Sequence, residues 1–246
     1  HQGYIEPTNG TAWWRPNDRL TIWCSSQGHF GIRDSVAMVL GIPSSQITVI
    51  PMEIGGGFGG KLSAYLEPLA AILSKKSGLP VKMTMSRSEV LESTGPTSGS
   101  YQKITMGYNS KGEINAAKAI MMLEAGAFPG APVSGAASAI FSPYEINDVH
   151  IDGYDIVTNK PKTTAYRAPG SPISMFAVES MINEIAEIVG VDPVELRIMN
   201  AAKKGTRRAD GVINGTIGAI DVMESIRNHP HYSMPLPEGE FVGRGI

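Results

Sequence analysis

Cysteine is almost missing from this chain: Cys24 is the one residue of its kind in 246. No intrachain disulfide can form, which excludes a disulfide-stapled secreted scaffold and a cysteine-rich zinc site; a reducing cytoplasm is the expected compartment. Charge is also scarce. Charged residues make up 18%, and 21 Lys and Arg against 23 Asp and Glu leave a net charge of −2. A nucleic-acid partner would need a basic face, so none is expected. Long apolar runs are absent as well. The longest uncharged stretch, residues 125–144, holds Pro129, Pro132, Pro143 and three glycines. It suits a loop better than a spanning helix, and no membrane partner is expected. What the chain does have is 42% hydrophobic residues, 28 glycines and 17 prolines: a core with many turns. The ends, His1 and Gly245-Ile246, fall in mid-pattern and suggest a piece of a longer protein.

The pattern predicts strands over 11–14 and 19–25, a helix over 32–40 with Val36, Val39 and Leu40 inward, and a strand over 46–54. A helix over 62–76 follows, with Leu66, Leu69, Ala70 and Leu73 inward, then a strand over 80–85. Residues 101–108 and 113–124 read as a hairpin around Asn109-Ser110-Lys111-Gly112. Strands near 149–156 and 163–166 precede helices over 172–189, 193–200 and 217–228. Phe176, Met181, Ile185 and Ile188 read as the buried face of the first of these. Strands and helices mix without regular alternation, so the expected fold is α+β, mixed sheets with packed helices. The chain is expected to be one truncated region, 1–246, with a subdomain division near 125–150.

The strongest local signal is Gly55-Gly56-Gly57-Phe58-Gly59-Gly60-Lys61, read as a turn that follows a strand and opens a helix. Such a turn brings backbone N–H groups close to an anion, phosphate or metal-oxo group. It matches G-x-x-x-x-G-K formally, but Leu62 stands where a P-loop needs Ser or Thr. It also matches G-x-G-x-x-G, but the following strand leads to Ser86-Arg87 and lacks the acidic partner. A tight turn without a ligand is a further reading. Ala165-Tyr166-Arg167-Ala168-Pro169-Gly170 places one arginine in a Pro/Gly loop before a helix, where it can bind an anion or lie on the surface. Ser25-Ser26-Gln27-Gly28 sets an amide side chain at a strand-to-helix turn, either as a donor or as an exposed cap.

Taken together, Ser-Ser-Gln-Gly, Gly-Gly-Gly-Phe-Gly-Gly-Lys and Ala-Tyr-Arg-Ala-Pro-Gly, in that order, resemble the molybdenum hydroxylases. This is the family of xanthine dehydrogenase, aldehyde oxidoreductase and carbon monoxide dehydrogenase large subunits. The resemblance runs nearly end to end. It includes His1-Gln2-Gly3-Tyr4-Ile5-Glu6-Pro7, Leu66-Glu67-Pro68, Pro143-Tyr144-Glu145-Ile146, residues 153–159, Ala177-Val178-Glu179-Ser180 and Asp192-Pro193-Val194-Glu195-Leu196-Arg197.

The resemblance implies a molybdopterin-binding fold and a molybdenum cofactor in the cytosine dinucleotide form. No protein side chain would ligate the metal. Gln27 and Arg167 would be catalytic, and Gln27, Gly28, Gly56, Gly57, Phe58, Gly59 and Arg167 would touch the cofactor. It implies oxidation of a heterocycle or aldehyde with water-derived oxygen. Electrons would pass to [2Fe–2S] and FAD partner subunits, in a dimer of heterotrimers. Two departures stand out. The loop after Tyr166-Arg167 carries no cysteine, which argues against copper chemistry. The family's general-base Glu, in a Gly-x-Gly-Glu context, does not occur in this chain, so the piece alone is expected to be inactive. The rival reading is a non-catalytic module of the same fold for cofactor assembly or binding; a P-loop protein is a more distant one.

Other residues read as ordinary. Glu89 and Glu92 suit a solvated helix start or a substrate contact. Glu6 reads as structural rather than catalytic, with a role near the cofactor as the alternative. His229-Pro230-His231 is an incomplete metal set, and Lys203, Lys204, Arg207 and Arg208 form a solvated basic run.

Overall fold

The computed structural model describes residues 1–245. They form two compact units. Unit 1 comprises His1–Gly99, Glu124–Ala131 and Ile156–Pro169; unit 2 comprises Ser100–Leu123, Pro132–Asp155 and the described residues from Gly170 onward. The expected α+β class is what the fold shows.

Unit 1 is built on a four-stranded sheet. Strands β1 (Asn9–Trp14), β2 (Leu20–Cys24), β3 (Ile47–Pro51) and β4 (Val81–Thr84) lie in the order β3-β2-β1-β4. The β1–β2 and β1–β4 pairs are antiparallel, and β2–β3 is parallel. The parallel pair needs a crossover, supplied by helix α1 (His29–Leu40). Helix α2 (Glu67–Ser77) packs on β1, and the short α3 (Arg87–Ser93) follows β4. The core gathers Ala12, Leu20, Ile22, Cys24, Ile32, Val36, Ala70 and Ala71.

The helices leave several large apolar side chains outside, and α2 buries small ones instead. α1 buries Ile32 and Val36, while Val39 is 60% exposed. α2 buries Ala70, Ala71 and Ser74 and leaves Leu69 and Leu73 outside. The reason is close approach: Ser74 Oγ accepts from Trp14 N at 2.8 Å and donates to Leu79 O at 2.7 Å, which a Leu face would forbid.

Two further expectations fail in this unit. α2 begins at Glu67, not at residue 62, so the glycine turn does not open a helix. Pro68 fits the first helical turn and sets the start there. Residues 163–166 are not a strand, because consecutive amides bond to different segments: Thr163 N to Ala125 O and Thr164 N to Pro96 O.

Unit 2 carries most of a three-stranded sheet, β5 (Ser100–Tyr108), β6 (Ile114–Gly126) and β7 (Asp148–Val157), with β6 central. The hairpin is antiparallel as expected. Its register slips where Gly107 pairs with Ala116 but Tyr108 pairs with Ile114, leaving Asn115 as the extra residue. This bulge shifts the parity, so Ile114 and Ala117 both face inward. Residues 125–144 are not wholly loop: β6 continues to Gly126, and Val133–Ala139 forms α4.

Helices α5 (Ser171–Val189), α6 (Pro193–Met199), α7 (Ala219–Arg227) and α8 (Pro230–Ser233) complete the unit. α5 buries Ser174, Val178, Ile182 and Ile185 at helical spacing, whereas Phe176 is 78% exposed and Ile188 also lies outside. Glu179 on α5 accepts from Tyr144 Oη at 2.8 and 2.9 Å and from Arg197 Nε at 2.8 Å. Arg197 also donates to Asn183 Oδ1 and Pro193 O, both at 2.9 Å. Burial, then the Glu179 carboxylate, pushes the Tyr144 phenol well above its usual range. Asn200 donates to Gly112 O and Leu196 O and accepts from Ile114 N, closing the base of the hairpin.

Candidate functional site

The three sequence signals converge in unit 1. After β2, Ser26 Oγ accepts from Gly28 N at 3.1 Å and donates to Lys61 O at 3.1 Å. Gln27 N also donates to Lys61 O, at 2.9 Å. The Ser-Ser-Gln-Gly turn therefore lies against the far end of the glycine turn.

Gln27 is held by its side chain as well. Its Oε1 accepts from Gly59 N at 2.9 Å and Lys61 N at 3.2 Å. Two backbone donors on one atom identify that atom as the carbonyl oxygen, since the amide nitrogen cannot accept. The Nε2 donor is left with no partner among the described residues. The amides of Gly56, Gly57 and Phe58 likewise have none. Gly57 has no room for a side chain: a Cβ there would sit 2.5 Å from Gln27 Oε1.

Arg167 reaches the same turn through its backbone, Arg167 N donating to Phe58 O at 2.9 Å. At Gly59, φ is +94° and a Cβ would lie 2.5 Å from Ala165 O, so only glycine admits the two loops this close. Three non-glycine residues among those described have positive φ, and two of them, Phe58 (52°) and Ala168 (56°), flank this contact. Each such residue stores about 1–3 kcal/mol of strain, which the surrounding bonds must hold. The Arg167 guanidinium is exposed and has no ion-pair partner among the described residues. Gly28 sits at the start of α1, without a side-chain cap.

Sequence reasoning missed what holds this turn. Lys61 is buried and turned inward, its Nζ 2.7 Å from Glu6 Oε2 and 4.8 Å from the Tyr4 ring centroid. Glu6 Oε2 also accepts from Gly55 N at 2.8 Å. Burial alone would raise the Glu6 carboxyl; the Lys61 ammonium, the Gly55 N–H and the Asn9 amide outweigh it and hold the pKa at about 2. A lysine spent in this way is not offered to a nucleotide phosphate, which removes the P-loop reading. Gln2 Nε2 donates to Ala165 O at 2.7 Å and Thr164 Oγ1 at 2.9 Å. Apart from the Glu6–Asn9 bond, three residues apart, no local pattern could reveal these pairings, because the partners lie 49 to 163 residues apart.

Other candidates resolve as structural. Glu89 closes a capping box with Ser86, and Glu92 accepts from Ser88 Oγ at 2.8 Å. Lys203 pairs with Glu145, and Arg208 with Asp210. His229 Nδ1 accepts from His231 N, and no group of three metal-ligating side chains occurs among the described residues. Burial, aided by Glu67, pushes the Cys24 thiol up to about 12, so it is inert. No described helix is long and apolar enough to cross a membrane.

The chain is 30% identical over 228 residues to the nicotinate dehydrogenase large molybdopterin subunit of Eubacterium barkeri, covering 91% of this chain and 54% of that one. It is 34% identical over 206 residues to a putative xanthine dehydrogenase molybdenum-binding subunit of Escherichia coli K12, covering 82% and 27%. The fold superposes on the aldehyde oxidoreductase of Desulfovibrio gigas with a TM-score of 0.84 at 25% identity, over 91% of this chain and 25% of that one. The chain thus spans about half of the first relative and about a quarter of the other two. The model of the molybdopterin cofactor-binding domain matches residues 1–201, which include the whole Gln27, glycine-turn and Arg167 cluster, and the chain belongs to that family.

Proposed function

We propose that this chain is the first part of the cofactor-holding region in the molybdenum subunit of a hydroxylase. The parent enzyme would oxidise a heterocycle or an aldehyde and pass electrons to [2Fe–2S] and FAD partner subunits. We place it in the cytoplasm, with the cofactor in its cytosine dinucleotide form and the assembly a dimer of heterotrimers. The observation that carries the reading is the Gln27 amide: its oxygen is occupied by Gly59 and Lys61, so only its donor faces outward.

The donor set fits the group. Gln27 Nε2 and the amides of Gly56, Gly57 and Phe58 offer hydrogens and no acceptor, which suits an anionic or oxo-bearing ligand. When bound, the molybdenum cofactor supplies two-electron oxidation with oxygen drawn from water. Gln27 would donate to an acceptor atom of the group. The glycine turn would approach it with backbone alone, since no side chain intervenes at Gly56 or Gly57. The Arg167 guanidinium would bind negative charge on substrate or cofactor. The proton-accepting carboxylate implied by the family resemblance does not occur in this chain and would have to be supplied from elsewhere in the enzyme.

The test is elemental analysis of the full-length protein purified with its partners from molybdenum-replete cells. Near-stoichiometric molybdenum with iron alongside is the expected result. A well-folded complex without molybdenum would sink the enzyme reading in favour of a non-catalytic module.

A further inference from the structure

The roles above leave unused the segment behind the turn, residues 1–9. Glu6 Oε2 contacts both ends of the glycine turn at once: Gly55 N at 2.8 Å and Lys61 Nζ at 2.7 Å. Glu6 N also donates to Gly55 O at 3.1 Å. The Lys61 side chain is 1% exposed, and its further neighbours are Ser25 Oγ at 3.4 Å and the Tyr4 ring. Lys61 N in turn donates to Gln27 Oε1. A Cβ on Gly60 would meet Tyr4 Cε1 at 2.8 Å and Gln2 Cδ at 3.2 Å, so the same segment forms the floor of the turn. Gln2 then binds Ala165 O and Thr164 Oγ1, in the loop that carries Arg167.

We infer that residues 2–6 are a positioning strap: Glu6, acting through Lys61, sets the glycine turn and the Gln27 amide, and Gln2 sets the loop of Arg167. The inference rests on the functional reading above where it concerns the cofactor. Gln2 and Tyr4 are buried and Glu6 is held by Lys61 and Gly55, so the strap acts through Lys61, Gln27 and Ala165. The physical lever is the buried ammonium. Replacing Glu6 by Gln keeps an acceptor for Gly55 N–H but leaves the Lys61 charge buried without a counter-charge. Such a charge is relieved by moving towards water, which carries Gln27 with it, or by losing its proton, which weakens the hold of residue 6 on Lys61.

The experiment compares the full-length complex as wild type, Glu6→Gln and Glu6→Gln/Lys61→Met. It reads molybdenum per folded subunit, the electron paramagnetic resonance signal of the reduced metal, and amide exchange in peptides covering residues 54–62. Glu6→Gln is expected to lower molybdenum about tenfold, as loss of an outer-shell partner does. It should also speed exchange at Gly59 and Lys61 and alter the signal of the remaining metal. The double variant has no buried charge and should recover the fold, but its molybdenum should stay below wild type, because the link from residue 6 to Lys61 is gone. A lower melting temperature with wild-type molybdenum, signal and exchange would overturn the strap, since a residue that merely stabilises the fold behaves that way. If Glu6→Gln does not fold, Lys61→Met carries the test, because it leaves only a partly exposed carboxylate. Unchanged exchange at Gly59 in that variant would overturn the proposal. A molybdenum-free wild type with fast exchange in Glu6→Gln would remove the functional reading and leave the strap's hold on the turn intact.

Discussion

Unit 1 and unit 2 both carry motifs of the same family resemblance, yet they use them differently. In unit 2, Tyr144, Glu179, Arg197 and Asn200 form closed hydrogen-bond networks, with Glu179 accepting from both a phenol and a guanidinium. In unit 1, Gln27 has its acceptor occupied and its donor unoccupied, two non-glycine residues sit at positive φ, and an arginine has no counter-charge. Satisfied polar groups and relaxed backbone mark a motif that maintains a fold. Surplus donors of one kind on a strained backbone are what the proposed function reads as a motif built to meet a ligand.

The sharpest way to break this contrast is Gly59→Ala in the full-length protein. The new methyl would strike the Ala165 carbonyl at a φ that disfavours any side chain. Loss of nearly all molybdenum is expected, with a destabilisation of about 4 kcal/mol or more in unit 1. Gly41→Ala, also at positive φ but in open space, should cost only about 1 kcal/mol. Equal effects of the two changes on molybdenum content would refute the special status of the loop contact.

Acid provides the second lever. The Glu6 carboxyl is lowered in the folded state, so its contribution is full above the unfolded value near 4.5 and fades as the pH falls towards about 2. At most about 3 kcal/mol is at stake, less whatever solvent screens at this partly exposed group. All three tryptophans, Trp13, Trp14 and Trp23, lie in unit 1, so their fluorescence reports on that unit alone. The urea midpoint read by tryptophan should fall more steeply through that pH window in wild type than in Glu6→Gln/Lys61→Met, where Glu89 and Glu124 still titrate. Equal slopes in the two would show that the pair adds nothing.

Gln27→Glu tests the donor directly. A carboxylate can still accept from Gly59 and Lys61, so the turn should persist while the outward donor is lost. Turnover of the holoenzyme is expected to fall about 100-fold, as for loss of a single donor to developing charge. Unaltered kcat would remove Gln27 from the chemistry. The smallest effect belongs to unit 2: Glu179→Ala should cost about 2 kcal/mol, read by thermal unfolding, with molybdenum per folded subunit unchanged. A matching loss of metal would erase the distinction between the two units.

Much of this was legible in the chain itself, because it rests on local pattern. The hairpin around Asn109, the helix started by Asp192-Pro193 and the co-occurrence of Gln27, the glycine turn and Arg167 all have signals within a few residues. What was not legible depends on distant partners. The inward face of α5 was misjudged because Phe176 and Ile188 are large, although size does not say which stripe meets a neighbour. The helix placed after Lys61 failed because the glycines are packed by Tyr4, Gln2 and Ala165 rather than by a helical turn. Lys61 looked like a phosphate ligand only because Glu6, 55 residues away, could not be seen beside it.

The one-sided hydrogen bonding of Gln27 makes the rim a polarity filter. On the proposed function, molecules that present lone pairs would be favoured at Nε2 and the neighbouring amides over those that present only hydrogens, such as ammonium groups. A water molecule resting there must point its oxygen inward and its protons outward, so even solvent would arrive already oriented.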